Sequence, residues 1–251
     1  MLVERIADWI RQEVERTGTS GAILGLSGGI DSAVVAGLAS RGLGPERVLG
    51  VLLPANSNTL DQEHARLAAT TFGIETLTVD LAGPLAALQT VLPPGNDLAV
   101  ANLKPRLRMT ALYYLANSRN LLVVGTGNRT ELLVGYFTKY GDGGVDILPL
   151  GALYKRDVRR LAREIGVPEP IIAKPPSAGL WPGQTDEGEL GMSYDDLDGV
   201  LAALDRGDTT GYPPDLVDRV KRLIARSTHK RRTPPVFNPS ETAAEPEGIR
   251  G

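Results

Sequence analysis

The sequence predicts an α/β protein of the doubly wound type, a parallel sheet of about five strands with helices on both faces. Three observations predict it. Short apolar runs alternate with longer segments of helical spacing. The strand-like runs are continuously apolar, as strands covered on both faces are. Two of them end in glycine-containing turns that lead into a helix, the place where such sheets bind ligands. With 251 residues, 42% of them apolar, the chain can bury one full core. Residues 1–237 therefore read as a single domain, and the polar, proline-containing stretch 238–251 as a loosely held tail.

Residues 2–16 place Leu2, Ile6, Trp9, Ile10 and Val14 at helical intervals. The first strand is 22–26, and a helix over 31–41 is stopped by Gly42 and Gly44-Pro45. Residues 47–53 form a second strand, ended by Pro54. The next helix, 59–72, has Thr59 as N-cap with Gln62 three positions on. A third strand follows at 74–80. Helices over 81–92 and 98–118 are separated by Pro93-Pro94-Gly95-Asn96-Asp97, and 121–125 is the fourth strand. Further helices cover 155–165, 193–204 and 214–230, the first stopped by Gly166 and Pro168. Between them lies 174–191, rich in proline and glycine and too long for a plain connection, which makes it the candidate for a closing lid.

Charge and composition exclude several functions. Lys and Arg number 27 against 30 Asp and Glu, a net charge of −3, so there is no electrostatic footprint for nucleic acid. No apolar run approaches the roughly 18 residues of a membrane span. The first residues open an acidic amphipathic helix in place of a basic apolar leader, so a cytoplasmic location is expected. Cysteine is absent, which removes disulfides, thiolate metal sites and cysteine nucleophiles.

The chemistry concentrates at Ser27-Gly28-Gly29-Ile30-Asp31-Ser32, between the first strand and its helix. Glycines let the backbone turn sharply and approach a ligand, and the first amides of the helix point outward at the positive end of its dipole. Ser27 and Ser32 add hydroxyls. Neither of the common phosphate-loop patterns is present, and where one of them carries lysine this turn carries Asp31. A carboxylate repels phosphates unless a cation stands between, so Asp31 implies bound magnesium (Mg2+). The bland alternative is a turn whose Asp31 and Ser32 only cap the helix.

Strand-end geometry repeats at Gly125-Thr126-Gly127-Asn128-Arg129-Thr130-Glu131. Neighbouring loops would bring Glu131 to Asp31, where two carboxylates can share a magnesium ion completed by phosphate oxygens and water. Alternatively, Glu131 only favours its own helix N-terminus. Tyr136 to Asp146 either presents Lys139 and Asp146 to a polar ligand or is a plain turn. Lys155 begins a helix, against the dipole preference, which suits phosphate binding or a solvated surface lysine. Arg106 and Arg108 follow a proline, as fork-shaped anion ligands or as a basic turn. His229 and Lys230 close the last helix, where dipole pairing alone accounts for them.

Together these pieces resemble the ammonia-dependent NAD synthetases, members of the ATP pyrophosphatases that carry this Ser-Gly-Gly-x-Asp-Ser loop on an adenine nucleotide alpha-hydrolase-like, Rossmann-like fold. The resemblance runs from about residue 2 to 235. It also rests on residues 137–146, on Ser177 to Glu187 with its Trp181-Pro182-Gly183-Gln184, and on His229-Lys230-Arg231.

The resemblance implies amidation of nicotinic acid adenine dinucleotide to NAD, with ATP as co-substrate, through an acyl adenylate and with release of AMP and pyrophosphate. Ser27, Gly28, Gly29, Asp31, Ser32, Thr126, Lys155 and Ser177 would bind ATP, Ser177 standing where some members have threonine. Asp31 and Glu131 would hold magnesium, Asp31 and Lys155 would be catalytic, and Arg106, Lys139, Asp146, His229 and Lys230 would contact the dinucleotide. A homodimer is implied too. Larger relatives add a glutaminase domain with a cysteine nucleophile; this chain has no cysteine, so the expected nitrogen source is free ammonia, unless a separate glutaminase delivers it. A GMP synthetase-like or transfer RNA-modifying enzyme with the same loop is the nearest rival, and the acidic balance speaks against RNA.

Overall fold

The computed structural model describes residues 1–181 and 183–238. In the first helix, α1 (Leu2–Thr17), residues Val3, Ile6, Ala7, Ile10 and Val14 face inward, and Gly18 ends it in the left-handed region. β1 (Gly21–Gly25) leads into α2 (Ile30–Leu43), which is buried along almost its whole length because other helices cover it. β2 (Val48–Leu52), α3 (Thr59–Phe72) and β3 (Glu75–Thr78) follow. Next come α4 (Ala82–Val91), α5 (Asp97–Ala101), α6 (Leu103–Arg119), β4 (Leu121–Val123) and α7 (Arg129–Val134). The chain ends with α8 (Lys155–Ile165), α9 (Glu169–Ile172), α10 (Asp186–Leu190), α11 (Tyr194–Arg206) and α12 (Pro214–Ser227).

All strand pairs are parallel, in the order β3-β2-β1-β4, with Ala22 opposite both Val48 and Leu122. Ile147 adds an isolated parallel bridge to Val124 beyond β4, so four strands and that bridge stand where about five were expected. Alternate residues of β1 feed two cores. Ala22 and Leu24 meet Val34, Leu38, Val158 and Leu161, while Ile23 meets Leu49, Val51, Leu85 and Ala116 on the other face. A third apolar cluster holds Val134, Tyr194, Leu197, Val200, Val217 and Val220, fastening α11 and α12 beside α7. Since β1 lies between β2 and β4, the turns after β1 and β4 emerge side by side at the carboxyl edge of the sheet.

Three local expectations need correcting. The helix over 98–118 is two helices broken at Asn102. Pro105 explains the break: with no N–H and a ring that clashes one turn back, it is tolerated only in the first turn of a new helix. The cap of α3 is Asn58, whose side chain accepts the Leu60 amide at 3.1 Å, and Thr59 is the first helical residue. The last helix stops at Ser227 and tightens into a 3-10 turn over Thr228–Lys230. There the side chains of Ser227, Thr228 and Arg231 all take the Ile224 carbonyl. The expected loose tail lies, beyond Asn238, outside the described residues. No helix among those described is long and apolar enough to cross a membrane.

Candidate active site

The turn after β1 folds as its glycines require. Gly28 has a φ of +77°, and a Cβ there would stand 2.1 Å from the carbonyl oxygen of Asp61, so no other residue fits. Gly29 is the N-cap of α2 in extended conformation, which leaves the first amides of α2 without acceptors inside the helix. Serine hydroxyls lock the turn. Ser32 Oγ donates to the Gly29 carbonyl at 2.9 Å and lies 3.1 Å from Ser27 Oγ, which accepts the Gly29 amide at 3.2 Å.

Beside it, the turn after β4 carries a full capping box. Asn128 Oδ1 accepts the Glu131 amide at 3.1 Å, and Glu131 Oε2 accepts the Asn128 amide at 3.2 Å. Asn128 also reaches across to donate from Nδ2 to Asp31 Oδ1 at 2.9 Å, tying the two turns together.

Lys155 enters between them from the first turn of α8. Its ammonium donates to Asp31 Oδ2 and, at 3.1 Å, to Glu131 Oε1, and it sits 5.0 Å above the ring of Tyr194. The side chain is only 2% exposed, so the solvated-lysine alternative is excluded. Burial alone would lower the pKa of Lys155, but the carboxylates of Asp31 and Glu131 more than reverse it and keep the ammonium charged. For Glu131 burial dominates, with Asp31 adding repulsion, and its carboxyl is pushed up to about 7 against the attraction of Lys155. The helix start is held by Thr130, which accepts the Lys155 amide at 3.0 Å and donates to Asp198, whose other oxygen takes the Arg156 amide at 2.8 Å.

Such a site can do two things. Outward-pointing amides and serine hydroxyls suit phosphate oxygens. Two carboxylates converging on one cation form an all-oxygen, anionic donor pair of the kind a hard divalent ion takes. Among the described residues no group of three or more His, Cys, Asp or Glu gathers for a metal. Among the described residues, Asp31 and Glu131 are the carboxylates that would hold such an ion here.

The remaining predicted residues spread around this centre. Thr126 lies partly buried in the second turn, and Ser177 is exposed, accepting the Gly179 amide at 3.2 Å. The 174–191 segment lies over the glycine turn: Lys174 pairs with Asp61 and contacts the Gly28 carbonyl, while Lys104 donates to the Leu180 carbonyl at 2.6 Å. Arg106, Lys139 and His229 are joined in a string, Arg106 reaching the Lys139 carbonyl at 3.5 Å and Lys139 donating to the His229 carbonyl at 2.8 Å. Lys230 turns inward to the carbonyls of Gly135 and Phe137, both at 2.7 Å. Arg108 is taken up by the Leu53 carbonyl and Ser57. Asp146 stands apart, its oxygens accepting the Val123 amide and the Tyr113 hydroxyl, both at 2.8 Å, beside a hollow of about 330 Å³ that Tyr113, Asn117 and Asn120 also line.

Asn128, Tyr194 and Asp198 were missed as parts of the centre. Asn128 advertised itself by the Asn-x-x-Glu capping spacing; Tyr194 and Asp198, on a helix some forty residues past Lys155, gave no local signal.

Residues 2–234 match the model of the family described as NAD synthase. The chain is 48% identical over 244 residues to the NH(3)-dependent NAD(+) synthetase of Methanosarcina acetivorans, covering 92% of this chain and 95% of that one. Among solved structures it is similar to NMN synthetase from Francisella tularensis, with a TM-score of 0.87, 35% identity and 94% and 97% of the two chains covered. It is also similar to the NH3-dependent NAD synthetase of Campylobacter jejuni in complex with the nitrate ion, with a TM-score of 0.83, 31% identity and the same coverage.

Proposed function

Because the chain belongs to the NAD synthase family, we propose that it joins ammonia to the nicotinic acid carboxylate of nicotinic acid adenine dinucleotide, consuming ATP and releasing NAD, AMP and pyrophosphate. The observation that carries this reading is the convergence of Asp31, Glu131 and Lys155 at the mouth of the Gly28-Gly29 turn. A non-catalytic nucleotide sensor would need the glycines but not two carboxylates and a buried lysine.

The chemistry sets what the residues must do. A carboxylate is a poor electrophile because its leaving group would be oxide, so it must first be activated. Its oxygen attacks the α phosphorus of ATP, the bond to the β phosphate breaks, and ammonia then displaces AMP from the acyl adenylate. In-line alignment of two bound substrates supplies most of the acceleration. The amides opening α2 with Ser27 and Ser32 would hold the phosphates, Thr126 and Ser177 would add contacts to the nucleotide, and Lys155 would neutralise charge on the departing pyrophosphate. Magnesium, held by Asp31 and Glu131, would supply divalent charge at the same oxygens. Arg106, Lys139, Asp146, His229 and Lys230 would contact the dinucleotide; the string of bonds joining Arg106, Lys139 and His229 supports grouping those three. The 174–191 segment would close over the site and keep water from the adenylate.

A homodimer belongs to this reading. It is supported by apolar surface left at Val91, Leu92, Leu98 and Tyr114 along the α4 to α6 stretch, and sedimentation at micromolar concentration tests it.

The likeness to the Francisella protein favours a second acid substrate, the mononucleotide. Incubation with ATP, magnesium, ammonium and equal amounts of both acids, following NAD, the amidated mononucleotide, AMP and ADP, decides. NAD formed in step with AMP supports the reading; amidated mononucleotide in excess transfers it to the smaller acid; ADP in place of AMP removes it.

A further inference from the structure

A further buried carboxylate, Asp186, lies near the centre. Asp186 is 4% exposed, and its Oδ2 accepts the Tyr194 hydroxyl at 3.0 Å, while its Oδ1 is buried with no hydrogen-bond partner among the described residues. A buried unpaired carboxylate oxygen is costly. The hydroxyl protons nearby are already committed, since Tyr194 donates to Oδ2 and Tyr136 donates to Glu189, which also takes the Gln184 amide at 2.8 Å. Oδ1 can therefore be supplied by a turn of the Tyr136 hydroxyl away from Glu189, by a proton of its own, or by a visitor.

Its position is informative. Tyr194 connects Asp186 at its hydroxyl to Lys155 at its ring face, and Tyr136, which heads the loop carrying Lys139, also faces Asp186. Through these two tyrosines Asp186 is linked to Lys155 of the phosphate-handling cluster and to the start of the loop assigned to the acid substrate. The groups that face it are Tyr194 from α11, Tyr136 beyond α7, Lys155 from α8 and Asp31 from α2.

We propose that Asp186 receives the nitrogen substrate: its free oxygen accepts an N–H of an ammonium ion and then the proton, releasing ammonia beside the acyl adenylate. This rests on the amidation reading above. Near neutral pH the nitrogen arrives as ammonium, which has four donors and no lone pair. One proton passes from nitrogen to Oδ1; the freed pair forms the C–N bond at the carbonyl carbon; the C–O bond to AMP breaks and AMP leaves with its electrons. A second proton passes from the nitrogen to the phosphate oxygen of the departing AMP, which leaves the neutral amide. Burial raises the carboxyl above its ordinary range, which suits a proton acceptor.

The test separates this step from adenylation. Asp186→Asn keeps the shape of the side chain and removes the proton acceptor. Pyrophosphate release with the acid substrate and no ammonium should stay within about threefold of the unsubstituted protein, while kcat/KM for ammonium falls about 100-fold. Hydroxylamine, neutral near pH 7, needs no such acceptor, and the variant should form hydroxamate within about threefold of the unsubstituted rate. Equal losses with both nucleophiles, unchanged use of ammonium, or loss of pyrophosphate release in the variant alone would each overturn the proposal. No pyrophosphate release from the unsubstituted protein would instead sink the amidation reading itself. Should the variant not fold, thermal unfolding of the unsubstituted protein decides. A saturable rise in Tm with ammonium chloride over sodium chloride at equal ionic strength supports the site, and identical curves refute it.

Discussion

Lys155 Nζ stands 3.1 Å from Glu131 Oε1 and donates as well to Asp31, so one buried ammonium holds together two carboxylates from different loops. The same carboxylates are the only pair assigned to magnesium, so lysine and metal compete for them. In Lys155→Ala the two anions lose their counter-ion inside the protein, which should cost about 3–5 kcal/mol of stability. Added magnesium should raise the Tm of that variant more than that of the unsubstituted protein, a comparison that thermal melts with and without the ion provide.

The pH dependence follows from Glu131. Its folded carboxyl is raised by burial to about 7 from an ordinary value of 4.5. An acid raised on folding binds protons more tightly in the native state, so its contribution to stability is full below its unfolded pKa and is lost as pH rises through the folded one. Glu131→Gln should flatten the fall in unfolding free energy between about pH 4.5 and 7 measured by denaturant titration without metal. Nucleotide affinity in the presence of magnesium should move the other way, weakening as pH falls through this window, because the carboxylate form is the ligand.

Gly28→Ala tests the phosphate turn. The new Cβ meets the Asp61 carbonyl at 2.1 Å in a left-handed conformation, so the turn must shift or the helix start must move. A stability loss of about 1–3 kcal/mol is expected, together with loss of ATP binding by calorimetry. Normal ATP affinity in a folded variant would mean that the turn does not carry the phosphates.

Much of this centre was legible because its parts are local. Ser27 to Ser32 and Gly125 to Glu131 are strand-to-helix turns whose residue types announce their geometry, and the parallel sheet needed only apolar runs and spacing. What sequence could not give was the partner of Lys155. A lysine at a helix start reads equally as surface or site, and only the fold of α8 between two loops, covered by Tyr194 from α11, buries it. The pairings of Asp146 were not legible either: its oxygens accept the Val123 amide and the Tyr113 hydroxyl, across more than twenty residues, where no local pattern reveals them.

The 174–191 segment supplies a conformational prediction. It is held at Lys174 by Asp61 and the Gly28 carbonyl, at Leu180 by Lys104, and at Asp186 and Glu189 by the hydroxyls of Tyr194 and Tyr136. Limited proteolysis within it should slow when ATP and the acid substrate are both bound, and Lys174→Ala should speed cleavage of the free protein. Cleavage at the same rate with and without both substrates would argue against closure.

When nucleotide binds, Asp31 and Glu131 are expected to pass from Lys155 to a shared divalent ion. The direct measurement is an anomalous difference map from crystals grown with manganese and a non-hydrolysable ATP analogue. The account predicts an ion peak in contact with both carboxylates and the phosphates, with Lys155 withdrawn from between them. A bound nucleotide with no ion there, and Lys155 still bridging Asp31 and Glu131, would contradict it.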